Sequence, residues 1–373
     1  MKERQPCFDR NVYALFGLLF DAVDLMGAVQ SVQAAVLHRE RYFLSTPNLN
    51  FLIASLHDAS FRNSVIHSDL SVADGMPLIW IARLLQIPLP ERVSGAGIFE
   101  SLQAEKNKKV KVFFFGGIAR VAELACQRAN ATSGGVRCVG YESPGFGSIE
   151  QMSSKEIIDR INASEADFLV VALGAKKGNA WIEHNLFKLT VPVVSHLGAV
   201  INFVAGTVSR APVWMQQFGL EWLWRIKEEP LLLKRYFFDG IALVRLLSCR
   251  ILPYAWYVYR HRPSSGEVDL ASISIDIKEG RILLKLRGAW YCNNLEPVRA
   301  AFKLAAKDGA DVHLDMADVS YVDSALIGLL MLLFGYQQQE GRRLSVVSVS
   351  NSVQRIFRWS CVEFLLRDEN ECG

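Results

Sequence analysis

Residues 110–117 read VKVFFFGG, an almost unbroken apolar run that ends in two glycines. This composition predicts a β-strand covered on both faces, as the strands of parallel sheets are. Similar runs predict further strands at residues 42–44, 136–141, 168–172 and 191–195. Helical periodicity fills the intervals at residues 49–63, 119–129, 153–162 and 179–186. The alternation predicts a Rossmann-like α/β domain with a parallel sheet over residues 1–205.

The pattern changes twice after residue 205. Residues 206–262 are rich in Trp, Arg and Leu and contain no convincing strand, so we predict a helical appendage there. Residues 263–268 include Pro-Ser-Ser-Gly, a composition typical of a linker. Residues 269–373 show a hairpin pattern and then alternate helix with strand, which predicts a second, small α/β domain.

Positive charge is concentrated in the appendage. The whole chain has a formal net charge of +3, whereas residues 206–262 hold nine Lys and Arg against four Asp and Glu, a net of +5. A local basic patch suits a bound anion better than general affinity for nucleic acid, so we expect no nucleic-acid partner. Guanidinium groups bind diphosphate oxygens in pairs. The candidate diphosphate ligands are Arg210, Arg225, Lys234 and Arg235.

Aromatic residues of the appendage predict contact with a membrane. Trp and Tyr lie readily at the headgroup level of a bilayer. The candidates are Trp222, Trp224, Trp256 and Tyr257. Two arginines and a proline interrupt the apolar stretch 241–259, which favours a helix lying in the interface over a spanning one, the alternative being a packing helix of the core. With no signal pattern and no run of eighteen uncharged apolar residues, we expect a cytoplasmic protein, peripheral on the inner face of the plasma membrane.

The cysteine and histidine positions match no disulfide framework and no metal-site motif. The seven cysteines form no Cys-x-x-Cys pair and their number is odd, so we predict free or buried thiols in a reducing compartment. The chain has no His-Glu-x-x-His and no Asp-x-Asp, and His184 and His196 are isolated. We therefore expect no cofactor and no metal, with arginine and lysine offsetting the charge of a leaving group.

Polar residues follow the predicted strands. Thr46 and Asn48 follow the first strand, and Asp74 precedes Gly75 and a helical pattern. Ligands of open α/β sheets bind outside the carboxyl ends of the strands, where Asp74 is placed to accept a proton from a hydroxyl group. The same residues also suit an ordinary helix cap and an ordinary turn. The residues alone leave both readings open.

Glycines follow two other strands. Gly116 and Gly117 close one of them, and Gly174 precedes Lys177 after another. Such ends let backbone N–H groups approach a phosphate at the start of a helix, although tight turns use the same residues. Neither is a Gly-x-Gly-x-x-Gly motif, which argues against a nicotinamide-dependent oxidoreductase.

Taken in order, these elements resemble the WecG/TagA/CpsF family of bacterial glycosyltransferases over residues 41–236. The matching segments are TPN at 46–48, ADG at 73–75, ERVSG at 91–95, FGG at 115–117, LGA at 173–175, RAP at 210–212 and GLEW at 219–222. The resemblance implies an inverting hexosyltransferase. Its donor would be a UDP-sugar and its acceptor a sugar linked to polyprenyl diphosphate, in synthesis of exopolysaccharide or another cell-surface polymer.

The resemblance also implies roles for individual residues. Asp74 would be the catalytic base, with Thr46 beside it. The donor site would comprise Asn48, Gly75, Arg92, Gly95, Gly116, Gly117, Gly174 and Lys177. Many members have Pro-Lys-Gln-Glu after the last glycine, whereas this chain has KKGN at 176–179. This departure implies either a different donor sugar or weakened catalysis, and the latter would make the protein a scaffold.

Residues 269–366 resemble a STAS domain through the hairpin, a helix and the segment VSYVDSALIG at 319–328. In anti-sigma-factor antagonists this loop reads Asp-Ser-Ser-Gly-Leu-Gly, and the second Ser is phosphorylated. Ala325 stands at that position here. We therefore expect the domain to bind a protein partner or to oligomerise, the alternative being an appendage that only adds stability. In a scaffold the partner would be a membrane polysaccharide synthase complex. We also expect Ser324 to be exposed to modification.

Overall fold

The computed structural model describes residues 7–106, 108–261, 263–278 and 280–366. An antiparallel hairpin comes first, formed by β1 (Val12–Leu15) and β2 (Leu18–Asp21). A six-stranded parallel sheet follows, formed by β3 (Tyr42–Ser45), β4 (Leu70–Ser71), β5 (Val110–Gly116), β6 (Val136–Glu142), β7 (Phe168–Ala172) and β8 (Val193–His196). Its strand order is β4-β3-β8-β7-β5-β6, so the carboxyl ends of all six strands meet at one edge.

Helices cover both faces of this sheet. They are α1 (Leu25–His38), α2 (Leu49–Ser55), α3 (Ala59–Ile66), α4 (Met76–Leu84), α5 (Gly95–Ala104), α6 (Ala119–Ala131), α7 (Lys155–Ala163), α8 (Ala175–Asn185) and α9 (Gly198–Ala205). Successive side chains of a strand point to opposite faces. Accordingly, Val112 and Phe114 pack with α1, α5, α6 and α9, whereas Phe113 and Phe115 pack with α7 and α8. The predicted Rossmann-like parallel-sheet domain is confirmed.

The appendage is helical, as predicted. It comprises α10 (Val213–Gln217), α11 (Glu221–Glu228), α12 (Leu232–Leu246) and α13 (Leu252–Arg260), and a π-helical turn at Leu247–Ile251 joins the last two. The resulting helix of 29 residues, Leu232–Arg260, is long and apolar enough to cross a membrane by length and composition. The sequence prediction favoured an interfacial helix over a spanning one because it counted uninterrupted apolar runs, whereas a mean hydropathy over eighteen residues tolerates up to two charged residues. One face of this helix packs against the second domain through the buried side chains of Leu246, Ile251, Tyr254 and Tyr257.

The second domain has a four-stranded mixed sheet. Its elements are α14 (Ser265–Asp269), β9 (Ser272–Lys278), β10 (Arg281–Trp290), α15 (Glu296–Asp308), β11 (Asp311–Val322), α16 (Ser324–Gln339), β12 (Leu344–Val349) and α17 (Asn351–Trp359). The strand order is β12-β11-β10-β9, with β9 antiparallel and the other pairs parallel. A short helix begins within the predicted linker, because Ser264 and Glu267 form a capping box that starts α14 at Ser265. Arg262, the predicted end of the appendage, lies outside the described residues.

The N-terminal hairpin joins the two domains. Its eight strand residues are all buried. On one side the Asp21 carboxylate accepts the backbone N–H of Ser71 in β4 at 2.8 Å. On the other side the Ser324 hydroxyl donates to the Ala14 carbonyl at 2.7 Å. The hairpin, α12–α13 and the second domain therefore share one hydrophobic core.

Two cysteines of the first domain are bonded to each other. A disulfide links Cys126 in α6 to Cys138 in β6, with their Cα atoms 5.2 Å apart. The prediction of free thiols is wrong for this pair. Sequence spacing did not show it, because only the packing of α6 against its own sheet brings the two side chains together.

Candidate functional site

Asp74 lies at the carboxyl edge of the sheet, just after β4. Its backbone N–H donates to the Pro47 carbonyl at 2.8 Å, which ties the ends of β3 and β4 together. Gly75 and a proline in the first turn then start α4. The Asp74 side chain is 25% exposed, so one side of the carboxylate faces the open edge of the sheet. Burial raises its pKa, against the opposing effect of Arg92.

Arg92 lies between two carboxylates. Its Nε and a terminal nitrogen both contact Asp74 Oδ1 at 3.3 Å, and the same terminal nitrogen lies 2.5 Å from Glu221 Oε2. Arg92 is 15% exposed and Glu221 18%. Glu221 opens α11, so the appendage contributes a charged group to the site. Glu221 was not among the predicted site residues, although it lies in the GLEW segment that carries the family resemblance.

Four further predicted residues lie beside Asp74. Thr46 is buried, and its Oγ1 lies 3.4 Å from the point where a Cβ of Gly95 would be. Asn48 caps α2, its Oδ1 accepting the Phe51 N–H at 3.1 Å, and its Cβ would lie 3.9 Å from a Cβ added at Gly75. The structure therefore brings the residues predicted around Asp74 into one cluster.

The glycine-bearing strand ends lie farther along the same edge. Gly116 is left-handed at φ 102°, and a Cβ there would be 2.5 Å from the Ala172 carbonyl oxygen, so close pairing of β5 with β7 requires glycine. A Cβ added at Gly174 would meet nothing within 4 Å, so this end faces open space. Gly117 is exposed beside it. The Lys177 ammonium donates a hydrogen bond to the Gly147 carbonyl.

In the segment that departs from the family pattern, the last two residues, Gly178 and Asn179, pack inward. Asn179 is buried, and its amide donates to Ser64 Oγ in α3 at 3.2 Å. Gly178 makes room for the His196 ring, because a Cβ there would lie 2.2 Å from His196 Cδ2. His196 Nε2 is buried without a hydrogen-bond partner, and burial lowers the pKa of this histidine to about 4. His196 is therefore neutral at physiological pH, at the end of the strand between β3 and β7.

The predicted cationic residues of the appendage separate into two pairs. Arg210 pairs with Glu100 of α5 and also contacts Ser94 Oγ at 3.3 Å. Arg225 lies over the Phe203 ring of α9, 5.8 Å from its centroid. A mainly apolar cleft of about 380 Å³ lies beside these two arginines, between α5, α6 and α9, and Glu100 and Arg128 also line it. Its walls include Ala96, Phe99, Val200, Phe203 and Val204. Lys234 and Arg235 lie instead on the exposed surface of α12.

The residues predicted to contact a membrane differ in their exposure. Trp222 and Trp256 are exposed. The Trp224 indole N–H donates to the Ser209 carbonyl at 3.0 Å, and the ring is half-buried. The prediction that Tyr257 contacts the membrane is wrong, because its ring is buried. The ring stacks on that of Tyr321 in β11, with 6.4 Å between the centroids. Other large apolar side chains on the outer face of α12–α13 are exposed, namely Leu233, Phe237, Phe238, Ile241, Val244, Leu252 and Tyr259.

Ser324 is not exposed, contrary to the prediction. Its side chain is buried, and its hydroxyl is bonded within the interface with the N-terminal hairpin. Ala325 is buried as well. The helix end that resembled a phosphorylation loop is therefore covered by the chain's own first strand.

The described residues contain no group of three or more His, Cys, Asp or Glu side chains placed to hold a metal ion. The neighbour of the Asp74 carboxylate at the open edge of the sheet is the guanidinium of Arg92. A half-buried carboxylate and glycine-bearing strand ends thus lie at the carboxyl edge of a parallel α/β sheet, the place where ligands bind in open α/β folds.

The chain belongs to the glycosyl transferase WecG/TagA/CpsF family, whose model matches residues 13–255. Residues 273–367 match the model described as Mlab, STAS domain. Both predicted resemblances are thereby confirmed, and the protein is a glycosyltransferase with a STAS domain at the C-terminal side.

Two curated relatives carry the name N-acetylglucosaminyldiphosphoundecaprenol N-acetyl-beta-D-mannosaminyltransferase. The protein from Bacillus spizizenii is 28% identical over 190 residues, 50% of this chain and 72% of the relative. The protein from Bacillus subtilis strain 168 is 28% identical over 194 residues, 52% of this chain and 73% of the relative. The aligned lengths are shorter than the matched glycosyltransferase region.

Proposed function

We propose that this protein transfers a hexose from a UDP-sugar, with inversion, to a sugar carried on polyprenyl diphosphate. The product would enter a bacterial exopolysaccharide or another cell-surface polymer. The observation that carries the proposal is the cluster of Thr46, Asn48, Asp74 and Arg92 at the carboxyl edge of the sheet. The names of the two relatives, which specify an undecaprenyl-diphosphate-linked sugar as acceptor, support the acceptor class.

In the proposed reaction Asp74 takes the proton from the acceptor hydroxyl as its oxygen attacks the anomeric carbon. The bond between that carbon and the diphosphate breaks, and UDP leaves with the electron pair. Backbone N–H groups at the open ends of β5 and β7 hold the donor diphosphate. Arg210 and Arg225 bind phosphate of the lipid acceptor, and the apolar cleft beside them gives its hydrocarbon chain a path.

The test is transfer of a labelled sugar to a synthetic polyprenyl-diphosphate sugar, with a panel of UDP-glucose, UDP-N-acetylhexosamines and UDP-uronic acids. We expect one donor class to give a lipid-linked product. No product with any donor, from a protein that is folded and binds UDP, would contradict the proposal.

We also propose that the transfer needs no metal ion. Excess EDTA is expected to leave the rate unchanged, because arginine and lysine side chains offset the charge of the leaving diphosphate. The measurement is the initial rate with and without chelator, followed by addition of Mg²⁺ or Mn²⁺. Complete loss with EDTA that is restored by either metal would contradict this.

A second candidate is a scaffold that brings its STAS domain to a membrane synthase complex. The inward-facing Asn179 and the lack of a side chain at Gly178 favour it, since neither position presents a polar side chain to a donor where many family members have Gln and Glu. Transfer or donor hydrolysis by the purified protein excludes this candidate.

We further propose that the exposed apolar face of α12–α13 lies on the membrane surface. Replacing Phe237 and Phe238, which are 63% and 57% exposed, by serine is expected to weaken vesicle binding roughly tenfold or more. The measurement is flotation with vesicles of phosphatidylglycerol and phosphatidylethanolamine. Phe146→Ser, at an exposed position of the α/β domain, serves as the control. Equal binding by the double variant and the control would remove this face from membrane contact.

A further inference from the structure

The catalytic carboxylate shares its arginine with a second carboxylate. Arg92 contacts Asp74 Oδ1 at 3.3 Å and Glu221 Oε2 at 2.5 Å, and all three side chains are at most 25% exposed. When both carboxylates are ionised, the cluster carries one excess negative charge. Burial makes such a charge costly, so the cluster favours uptake of a proton.

The uptake of a proton by Asp74 is the step that the proposed transfer requires. An isolated pair of Asp74 with Arg92 would oppose it, because protonation would leave the guanidinium charge without a partner in a poorly solvated place. With Glu221 present, the protonated state still contains a complete ion pair. The arrangement therefore lowers the cost of protonating Asp74.

We propose that Glu221, supplied by the appendage, is a positioning residue that makes Asp74 a stronger base by sharing Arg92. This inference rests on the proposed function. The proton passes from the acceptor hydroxyl to Asp74, the new bond forms at the anomeric carbon, UDP leaves, and Arg92 remains paired with Glu221 throughout. Docking of α11 on the catalytic domain thereby sets the basicity of the site.

The groups that face Asp74 from the surrounding elements support this reading. The segment between α4 and α5 supplies Arg92, the start of α5 supplies the backbone N–H of Gly95, and α11 supplies Glu221. The end of β3 supplies Thr46 and Asn48, which carry no charge. The pKa of Asp74 is raised by burial and by Glu221, and lowered by Arg92 and the Gly95 N–H.

The test compares pH profiles of kcat/KM for transfer by the full-length protein and by Glu221→Gln. Glutamine keeps the size and a hydrogen-bond acceptor but removes the charge, so Arg92 then pairs with Asp74 alone. We expect the acidic limb of the profile to move about one unit to lower pH. We also expect the plateau rate to fall roughly tenfold, because a weaker base removes the proton less effectively.

Two further variants separate this role from a merely structural one. Glu221→Asp keeps the charge on a shorter side chain and is expected to give an intermediate profile. Glu228→Gln removes a carboxylate of the same helix, which accepts the Ser209 N–H at 3.1 Å, and is expected to match wild type. If Glu221→Gln raises KM for the lipid acceptor but leaves the acidic limb in place, Glu221 only holds the appendage and the inference is wrong. Absence of transfer by wild type would instead refute the proposed function.

Discussion

Replacing Asp74 by asparagine is expected to lower the rate of sugar transfer roughly 100- to 10,000-fold, the usual contribution of a general base. Asparagine keeps the shape and can still accept a hydrogen bond from Arg92, but it cannot take up the proton. The measurement is transfer of label from the UDP-sugar to the lipid acceptor, alongside UDP binding. Asp159→Asn, an exposed position on α7, is the matched control.

The same substitution is expected to leave the fold intact. Because the folded-state pKa of Asp74 is raised, its favourable contribution to stability is present at low pH and is lost as the pH rises through that pKa. Removing the ionised carboxylate therefore should not lower the melting temperature near neutral pH. Near-wild-type transfer by a folded Asp74→Asn protein would remove Asp74 from the catalytic role.

Gly328→Val is expected to destabilise the whole protein. A Cβ at Gly328 would lie 2.9 Å from the Val12 carbonyl oxygen of the N-terminal hairpin, and backbone cannot move aside as a flexible side chain does. Overpacking of this kind costs about 1–3 kcal/mol, which for a cooperative unit of this size corresponds to a fall in melting temperature of roughly 1–4 °C. Gly240→Ala in α12 is the control, since a Cβ there meets nothing within 4 Å.

The same experiment tests the shared core of the two domains. Wild type is expected to unfold in one cooperative transition, because the hairpin belongs to a core that both domains complete. Gly328→Val is expected to separate the transitions or to lower the single one. Two independent transitions in wild type, with Gly328→Val unchanged from Gly240→Ala, would show that the domains do not stabilise each other.

The elements of both sheets were largely predictable. The strand predicted at residues 168–172 matches β7, and the second domain has the predicted hairpin followed by alternating helices and strands. The misses are the N-terminal hairpin and β4, which is two residues long. Residues 12–20 carry a short apolar run whose partner is 310 residues away in α16, and no local pattern reports such a contact.

The sequence pointed to residues that lie together at the sheet edge, but not to the contacts between them. Asp74, Thr46, Asn48 and Arg92 were identified because they follow strands or match family segments. The bridge from Arg92 to Glu221 joins residues 129 positions apart in the sequence, so only the packing of α11 against the catalytic domain reveals it. Tyr257 and Ser324 were misassigned for the same reason, since burial between domains is not visible in composition.

By itself, the sequence determined the parallel α/β domain, the basic and aromatic appendage, the STAS domain and the family. These follow from local composition, periodicity and short segments. Only the tertiary structure decided that the first hairpin packs between the two domains and bonds to both. It also decided that the appendage places a carboxylate beside Arg92. It also showed that the helix Leu232–Arg260 buries one face on the STAS domain and exposes the other. Local order is encoded by neighbouring residues, whereas these contacts depend on which faces meet when distant elements pack.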